Sequence, residues 1–173
     1  MGSPGQNAVT MVRVKVGDKL GNIYGPVFQG VNADGSPQFE DVNLDGVLNT
    51  DSGNVLQDDY DGRVLGTAYP TLEMSWSNVL EFGDGWTLNA FFRGAFGHSL
   101  INTFRAFYEP NVPSQTSYNQ MNTSLREPNL AVAQYSSLYV EKADFFLLDN
   151  LTLSKQIFFP EGSGIKDLTV SLN

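Results

Sequence analysis

Apolar and polar positions alternate with a period of two over residues 71–82. Leu72, Met74, Trp76, Leu80 and Phe82 fall on one face, with Thr71, Glu73, Ser75, Ser77 and Glu81 on the other. Successive side chains of a strand point to opposite sides, so this pattern predicts one long strand with an apolar face and a polar face. Gly83, Asp84 and Gly85 then supply a short turn. A second alternating run starts at Trp86, placing Leu88, Ala90, Phe92 and Phe96 opposite Thr87, Asn89 and Arg93. Together the two runs predict a long antiparallel hairpin. A further pair is expected over 144–157 and 166–173, joined by a turn containing Pro160, Gly162 and Gly164. Upstream, 9–16 and 22–31 are β candidates interrupted by Gly17 and Gly21, which brings the expectation to about five or six strands.

The connections differ in length in a regular way. The turns at 83–85 and 158–165 are short, whereas 32–70 and 99–137 are long, polar and rich in Asn, Asp, Ser and Pro. Short turns at one end of a set of strands and long loops at the other is the layout of a transmembrane β-barrel. Each long strand is close to the length that crosses a bilayer at a tilt, and Trp86 falls at the turn end, where an interfacial aromatic belt would place it. Alternation alone also suits a soluble sandwich, whose apolar faces meet across two sheets.

The first long loop carries candidate metal chemistry. In FEDVNLDGVLNTD, from Phe39, the residues Asp41, Asn43 and Asp45 alternate and Gly46 follows. This is the opening half of an EF-hand calcium loop, in which oxygens at positions one, three, five, seven and nine converge on a hard cation and a glycine at six makes the bend. Counted from Asp41, Val47 offers its carbonyl at position seven and Asn49 stands at position nine. Position twelve, which should supply a bidentate carboxylate, is Ser52, with Asp51 one residue early. The expected ligand set is Asp41, Asn43, Asp45, Val47, Asn49 and Asp51 around a structural Ca2+, and Asp58, Asp59 and Asp61 are placed to complete it.

Composition narrows the classes further. The chain has 173 residues, no cysteine and a formal net charge of -9 with only 10 basic residues. Thiolate metal sites, disulfides and cysteine nucleophiles are excluded, and nucleic acid is a poor partner for so few phosphate-neutralising side chains. Seven Tyr, twelve Phe and seventeen Gly make a β-rich and turn-rich mixture. His98 is the only histidine, and no clustered acid, base and nucleophile points to an enzyme. Met1 leads into Gly2, Ser3, Pro4 and Gly5 without a basic start or an apolar segment, and the last strand runs to Asn173 without a tail. The reading is of a segment of a larger architecture.

Four stretches in order resemble the C-terminal region of the SusC/RagA family of TonB-dependent outer-membrane receptors from Bacteroidota. They are VGDKLGNIYGPVFQGV from Val16, FEDVNLDGVLNTD from Phe39, VLGTAYPTLEMSWSN from Val64 and ADFFLLDNLTLSKQI from Ala143. In that family they belong to the barrel wall and its extracellular loops, with Gly66 and Pro70 leading into a long strand. Leu44 stands where family members usually have Gly, and Ser154 and Lys155 stand where they normally carry Gly-Tyr. The resemblance implies an all-β, antiparallel, incomplete transmembrane barrel over 1–173, with extracellular loops at 32–70 and 99–137. It implies an outer-membrane location, and uptake of glycans or peptides by the parent receptor. The implied partners are the remaining barrel and plug, a SusD-like lipoprotein, TonB and the lipid bilayer. Transport by this segment alone is not expected. The alternative is a soluble, secreted, calcium-stabilised β-sandwich module that binds carbohydrate.

Overall fold

The computed structural model describes residues 11–12, 14–50, 57–111, 121–132 and 134–173. In chain order its strands are β1 (Asn22–Gly25), β2 (Phe28–Val31), β3 (Pro37–Phe39), β4 (Arg63–Thr67), β5 (Leu72–Phe82), β6 (Trp86–Phe96), β7 (Ser99–Ile101), β8 (Val140–Lys142), β9 (Phe145–Phe158) and β10 (Asp167–Leu172). A short helix, α1 (Thr103–Tyr108), and a 3-10 turn at Ser137–Tyr139 complete the elements. The fold is all-β and antiparallel, as the alternation predicts. It forms two compact units: Met1–Tyr69 with His98–Ala143, and Pro70–Gly97 with Asp144–Asn173.

The second unit is a single four-stranded sheet in the order β10-β9-β6-β5. The β5–β6 register runs unbroken from Leu72 opposite Phe96 to Phe82 opposite Trp86. Gly83 and Gly85 close that hairpin at φ 55° and 78°. Glycine is needed at 85 twice over, since its φ is positive and a Cβ there would stand 2.7 Å from the Gln156 carbonyl oxygen; the Gly85 carbonyl in turn accepts from the Gln156 N–H at 2.8 Å. Between β6 and β9 the register shifts at Phe91/Phe92, leaving Asp149 as an extra residue on β9. The other end of the sheet is tied by Gly97, at φ 77°, whose N–H donates to Asp144 Oδ1 at 2.6 Å, and by the Thr71 N–H on the Phe96 carbonyl at 2.9 Å. Both short turns thus lie at one end, and the chain leaves the sheet at the other. The sheet does not close, and β5 and β10 are its edges.

The first unit is built from two-stranded sheets pairing β1 with β4, β2 with β3 and β7 with β8. Met11, Ile23, Phe39, Tyr60, Ala106, Leu130 and Tyr139 are its buried apolar residues among those described, and Tyr24 stacks on Tyr60 at 5.8 Å. Here the structure corrects several sequence expectations. Residues 9–16 form no strand among those described; Val12 makes one isolated bridge to Ile23. The run 22–31 is two strands, because Pro26 has no N–H for a ladder and sits fully buried with its carbonyl accepting from Ser137 N at 3.0 Å. The segments 32–70 and 99–137 are not plain loops, since they contain β3, β4, β7 and α1. Strands of three to five residues, as β1–β4, β7 and β8 are, are too short to show a period.

Candidate functional site

Directly opposed residues of an antiparallel sheet share a face. Across the four strands this gives rows Phe82–Trp86–Lys155–Val170 and Leu80–Leu88–Leu153–Leu172, then Asn78–Ala90–Leu151, Trp76–Phe92–Leu148, Met74–Gly94–Phe146 and Leu72–Phe96. One face is therefore predominantly apolar, with Asn78 and Lys155 as its polar members. Its aromatic rings stack on one another, Trp76 on Phe92 at 5.5 Å and Phe92 on Phe146 at 5.7 Å. Residues on this face are exposed: Trp76 54%, Leu80 52% and Leu151 48%. Soluble monomers rarely leave so large an apolar patch in water.

The opposite face carries most of the sheet's polar side chains, several of which pair with one another. Arg93 Nε lies 2.8 Å from Asp149 Oδ2, an ion pair that the register shift makes reachable. Ser154 and Ser171 share a hydrogen bond of 3.0 Å, the single Thr152 hydroxyl proton lies within reach of Asn150 Oδ1 and Asn173 Oδ1, and Gln156 donates to Asp167 at 3.0 Å. At about 3.3 Å per residue, the 11 residues of β5 run roughly 36 Å. A strand tilted by about 40° then rises about 28 Å, enough for an apolar band about 25 Å tall.

The aspartate loop is in the first unit. Asp41 Oδ1 accepts from Leu44 N at 2.7 Å, and its Oδ2 accepts from Gly46 N at 2.8 Å. Asn43 Oδ1 accepts from Asp45 N at 3.0 Å, and Asp45 Oδ1 from Val47 N at 2.7 Å. Gly46 takes φ 82°, as the motif requires, and Leu44 adopts φ 61°, a left-handed conformation costly for a branched side chain. The bound is set by Asp61, which is fully buried: its Oδ1 accepts from Val42 N (2.9 Å) and Asn43 N (3.4 Å), and its Oδ2 from Asn49 N (2.8 Å). Asp59 joins through its carbonyl, which accepts from Asn43 Nδ2, and its carboxylate, which accepts from Asn49 Nδ2 at 3.0 Å.

Asp41, Asn43, Asp45, Val47 and Asn49 are thus gathered on one turn, while Asp51 lies outside the described residues. The oxygen donor set suits a hard cation in kind, because each carboxylate oxygen keeps a lone pair beyond its N–H contact. In placement, no three Asp, Glu or His side chains converge as a metal cluster among the described residues.

Sequence reasoning missed a second polar assembly, centred on Arg105. Asn102 caps α1, its side-chain oxygen accepting from Arg105 N at 3.0 Å. The guanidinium is 4% exposed and reaches four places: Nε to Glu109 at 2.8 Å, Nη1 to Glu141 at 2.6 Å and the Leu138 carbonyl at 3.3 Å, and Nη2 to the Leu125 carbonyl at 3.0 Å. Glu109 also accepts from the Thr123 hydroxyl, and Arg126 Nε donates to the Glu109 carbonyl at 2.8 Å. The Tyr139 ring lies 5.7 Å from the guanidinium.

Burial pushes the Arg105 pKa down, and the bonds to Glu109 and Glu141 outweigh it, so the net direction is up. The Arg105 hydrogen bond holds the Glu141 carboxyl below its ordinary value, and burial pushes the Tyr139 hydroxyl well up. These side chains hold backbone carbonyls and one another, which is a positioning role. The only sequence signal was the Asn102 cap with Arg105 and Glu109 four residues apart; the link to Glu141 spans 36 positions.

No protein-family model matches the chain, and no curated protein matches it. Solved structures do. The chain is similar to the RagAB peptide importer in its "open-open" state, with a TM-score of 0.64 and 20% identity over 87% of this chain and 18% of that one. The "closed-closed" state of the same importer gives 0.59 and 18% identity over 88% and 19%. A structure of the RagAB peptide transporter gives 0.52 and 17% over 79% and 16%. At this identity the likeness is one of fold, and this chain spans less than a fifth of the length of each of those chains. Among the described residues no helix is long and apolar enough to cross a membrane.

Proposed function

We propose that this chain is part of an outer-membrane uptake receptor of the SusC/RagA type, with β5, β6, β9 and β10 forming a stretch of its barrel wall. The observation that carries the reading is the exposed apolar face of that sheet, backed by a face that carries its polar side chains and the Arg93–Asp149 ion pair. Lipid takes the apolar face and the water-filled interior takes the polar one. Lipid offers no hydrogen bonds, so the open edges at β5 and β10 must meet other strands, and the remaining barrel is the first partner. By the short-turn rule the ends at 83–85 and 159–166 face the periplasm, and the chain leaves the sheet on the extracellular side.

In this reading the parent receptor works with a plug, with TonB and with a SusD-like lipoprotein, and it carries peptides or glycans. The similarity to a structure named as a peptide importer favours peptides. The wall segment contributes no enzymatic step and transports nothing alone. The Asp41 loop has a structural role, stiffening the first unit, and takes Ca2+ on the oxygens of Asp41, Asn43 and Asp45. A sandwich would require a second sheet over the apolar face, which Trp76 and Leu80 leave exposed. Purification tests the choice: the chain should need detergent or bilayer to stay dispersed. A monodisperse monomer in plain buffer with one cooperative unfolding transition would overturn the wall reading.

A further inference from the structure

The apolar face of the sheet carries a single charged residue, Lys155, in the row Phe82–Trp86–Lys155–Val170 that closes the β5–β6 hairpin. Its stem lies along the face and its ammonium turns to the hairpin, donating to the Asp84 carbonyl and lying 5.3 Å from the centre of the Trp86 ring. An ammonium has three donors and the carbonyl takes one. No carboxylate among the described residues pairs with it. The contrast with the other face is direct, since Arg93 there has its counter-ion, Asp149, within the sheet. Among the described residues the cation on the apolar face has no counter-ion.

We propose that Lys155 and Trp86 form a headgroup site at the short-turn rim of the sheet for an anionic phospholipid, whose phosphate supplies that missing charge. This rests on the lipid-facing reading of the apolar face. A lysine on a lipid-facing strand costs about 2–4 kcal/mol at the bilayer midplane and about 0–1 near the interface, so this row belongs at the interface. There the lysine stem stays in the apolar layer while its head reaches the phosphates, and the indole occupies the same level.

The test uses the full chain in bilayers. The protein has 2 Trp, so Trp76→Phe leaves Trp86 as the only emitter, read by quenching with brominated phosphatidylglycerol against brominated phosphatidylcholine. Trp86 should prefer the anionic lipid about fivefold, the size expected for one lysine at a charged surface. Lys155→Gln should remove the preference and Lys155→Arg keep it. Trp76 alone, in Trp86→Phe, should be quenched equally by both lipids. Inorganic phosphate in the buffer should leave the preference intact; its loss to phosphate would show a free-anion site and overturn the headgroup assignment. Equal quenching of Trp86 by both lipids, unchanged in Lys155→Gln, would overturn the headgroup site and leave the lipid-facing sheet standing. Quenching by neither lipid would overturn both.

Discussion

Replacing Arg105 with Met keeps most of the side chain's volume and removes every polar contact it makes. The four bonds lost tie α1 to Leu125, to the Leu138 carbonyl at the 3-10 turn and to Glu141 in β8, so three separate segments lose a common anchor. Glu109, 2% exposed, is left as a buried carboxylate facing its remaining hydroxyl partner, Thr123. Breaking a buried pair by deleting one member costs about 3–5 kcal/mol. The lower end is expected here, because the Glu141 side chain is 31% exposed and water takes over part of its solvation.

A loss of about 3 kcal/mol raises the local opening equilibrium more than about 100-fold. Both tryptophans belong to the other unit, so the assay is amide hydrogen exchange followed by mass spectrometry on peptides from 98–111 and 134–143. Glu141→Gln should show a smaller effect, and the Arg105→Met, Glu141→Gln pair should cost less than the sum of the two. The pH dependence follows from the sign of the shift: a carboxyl whose folded pKa lies below its unfolded value of about 4.3 contributes stability above that value and loses it as pH falls through the folded pKa. Once intrinsic exchange rates are corrected for, protection of these peptides should fall below about pH 4, and Glu141→Gln should flatten that fall. Unchanged protection in Arg105→Met, within about 0.5 kcal/mol, would refute the hub.

Three further outcomes are expected. Leu151→Lys puts a charge in the middle of the apolar face and should lower stability in bilayers by about 2–4 kcal/mol by urea titration, whereas Thr152→Lys on the neighbouring polar face should change it by less than about 0.5. Asp61→Ala leaves the N–H groups of Val42, Asn43 and Asn49 without their acceptor and should destabilise the aspartate loop by about 2–4 kcal/mol, read as faster exchange at those three amides. Adding Ca2+ at about 10 mM should protect the same amides by about 1.5–2.7 kcal/mol, as a site of extracellular-module affinity would, and chelation should reverse it; no change would remove the ion from the account.

The long strands were legible because alternation holds over most of the 11 residues of β5 and of β6, with Asn78, Val79 and Phe91 as exceptions, and their closing glycines stand where the hairpin needs positive φ. The first unit was not, for physical reasons. Its strands pair across large sequence separations, β1 with β4 and β7 with β8, and each is too short for alternation to rise above chance. Pro26 hides a break inside an apparently continuous run. The aspartate motif gave the turn, including the bend at Gly46, and Asp61 was among the residues placed to complete it, but as a cation ligand and not as the acceptor that closes it. Asp61 does so from beyond the position where a calcium loop would end, and it does so with three backbone N–H groups that no spacing rule counts. Leu44 at positive φ shows the same limit, since the backbone accepts a residue there that sequence preference would exclude.

The central claim is that one face of the β10-β9-β6-β5 sheet meets lipid and the other meets water. The chain contains no cysteine, so single cysteines can be placed one at a time on β5 and β9 without background. In bilayers, nitroxide labels at positions 76, 80, 151 and 153 should be relaxed by oxygen dissolved in the membrane, while labels at 75, 77, 152 and 154 should be relaxed by a water-soluble nickel chelate. Accessibility should alternate residue by residue along each strand. Equal exposure of both sets to the water-soluble agent would contradict the account.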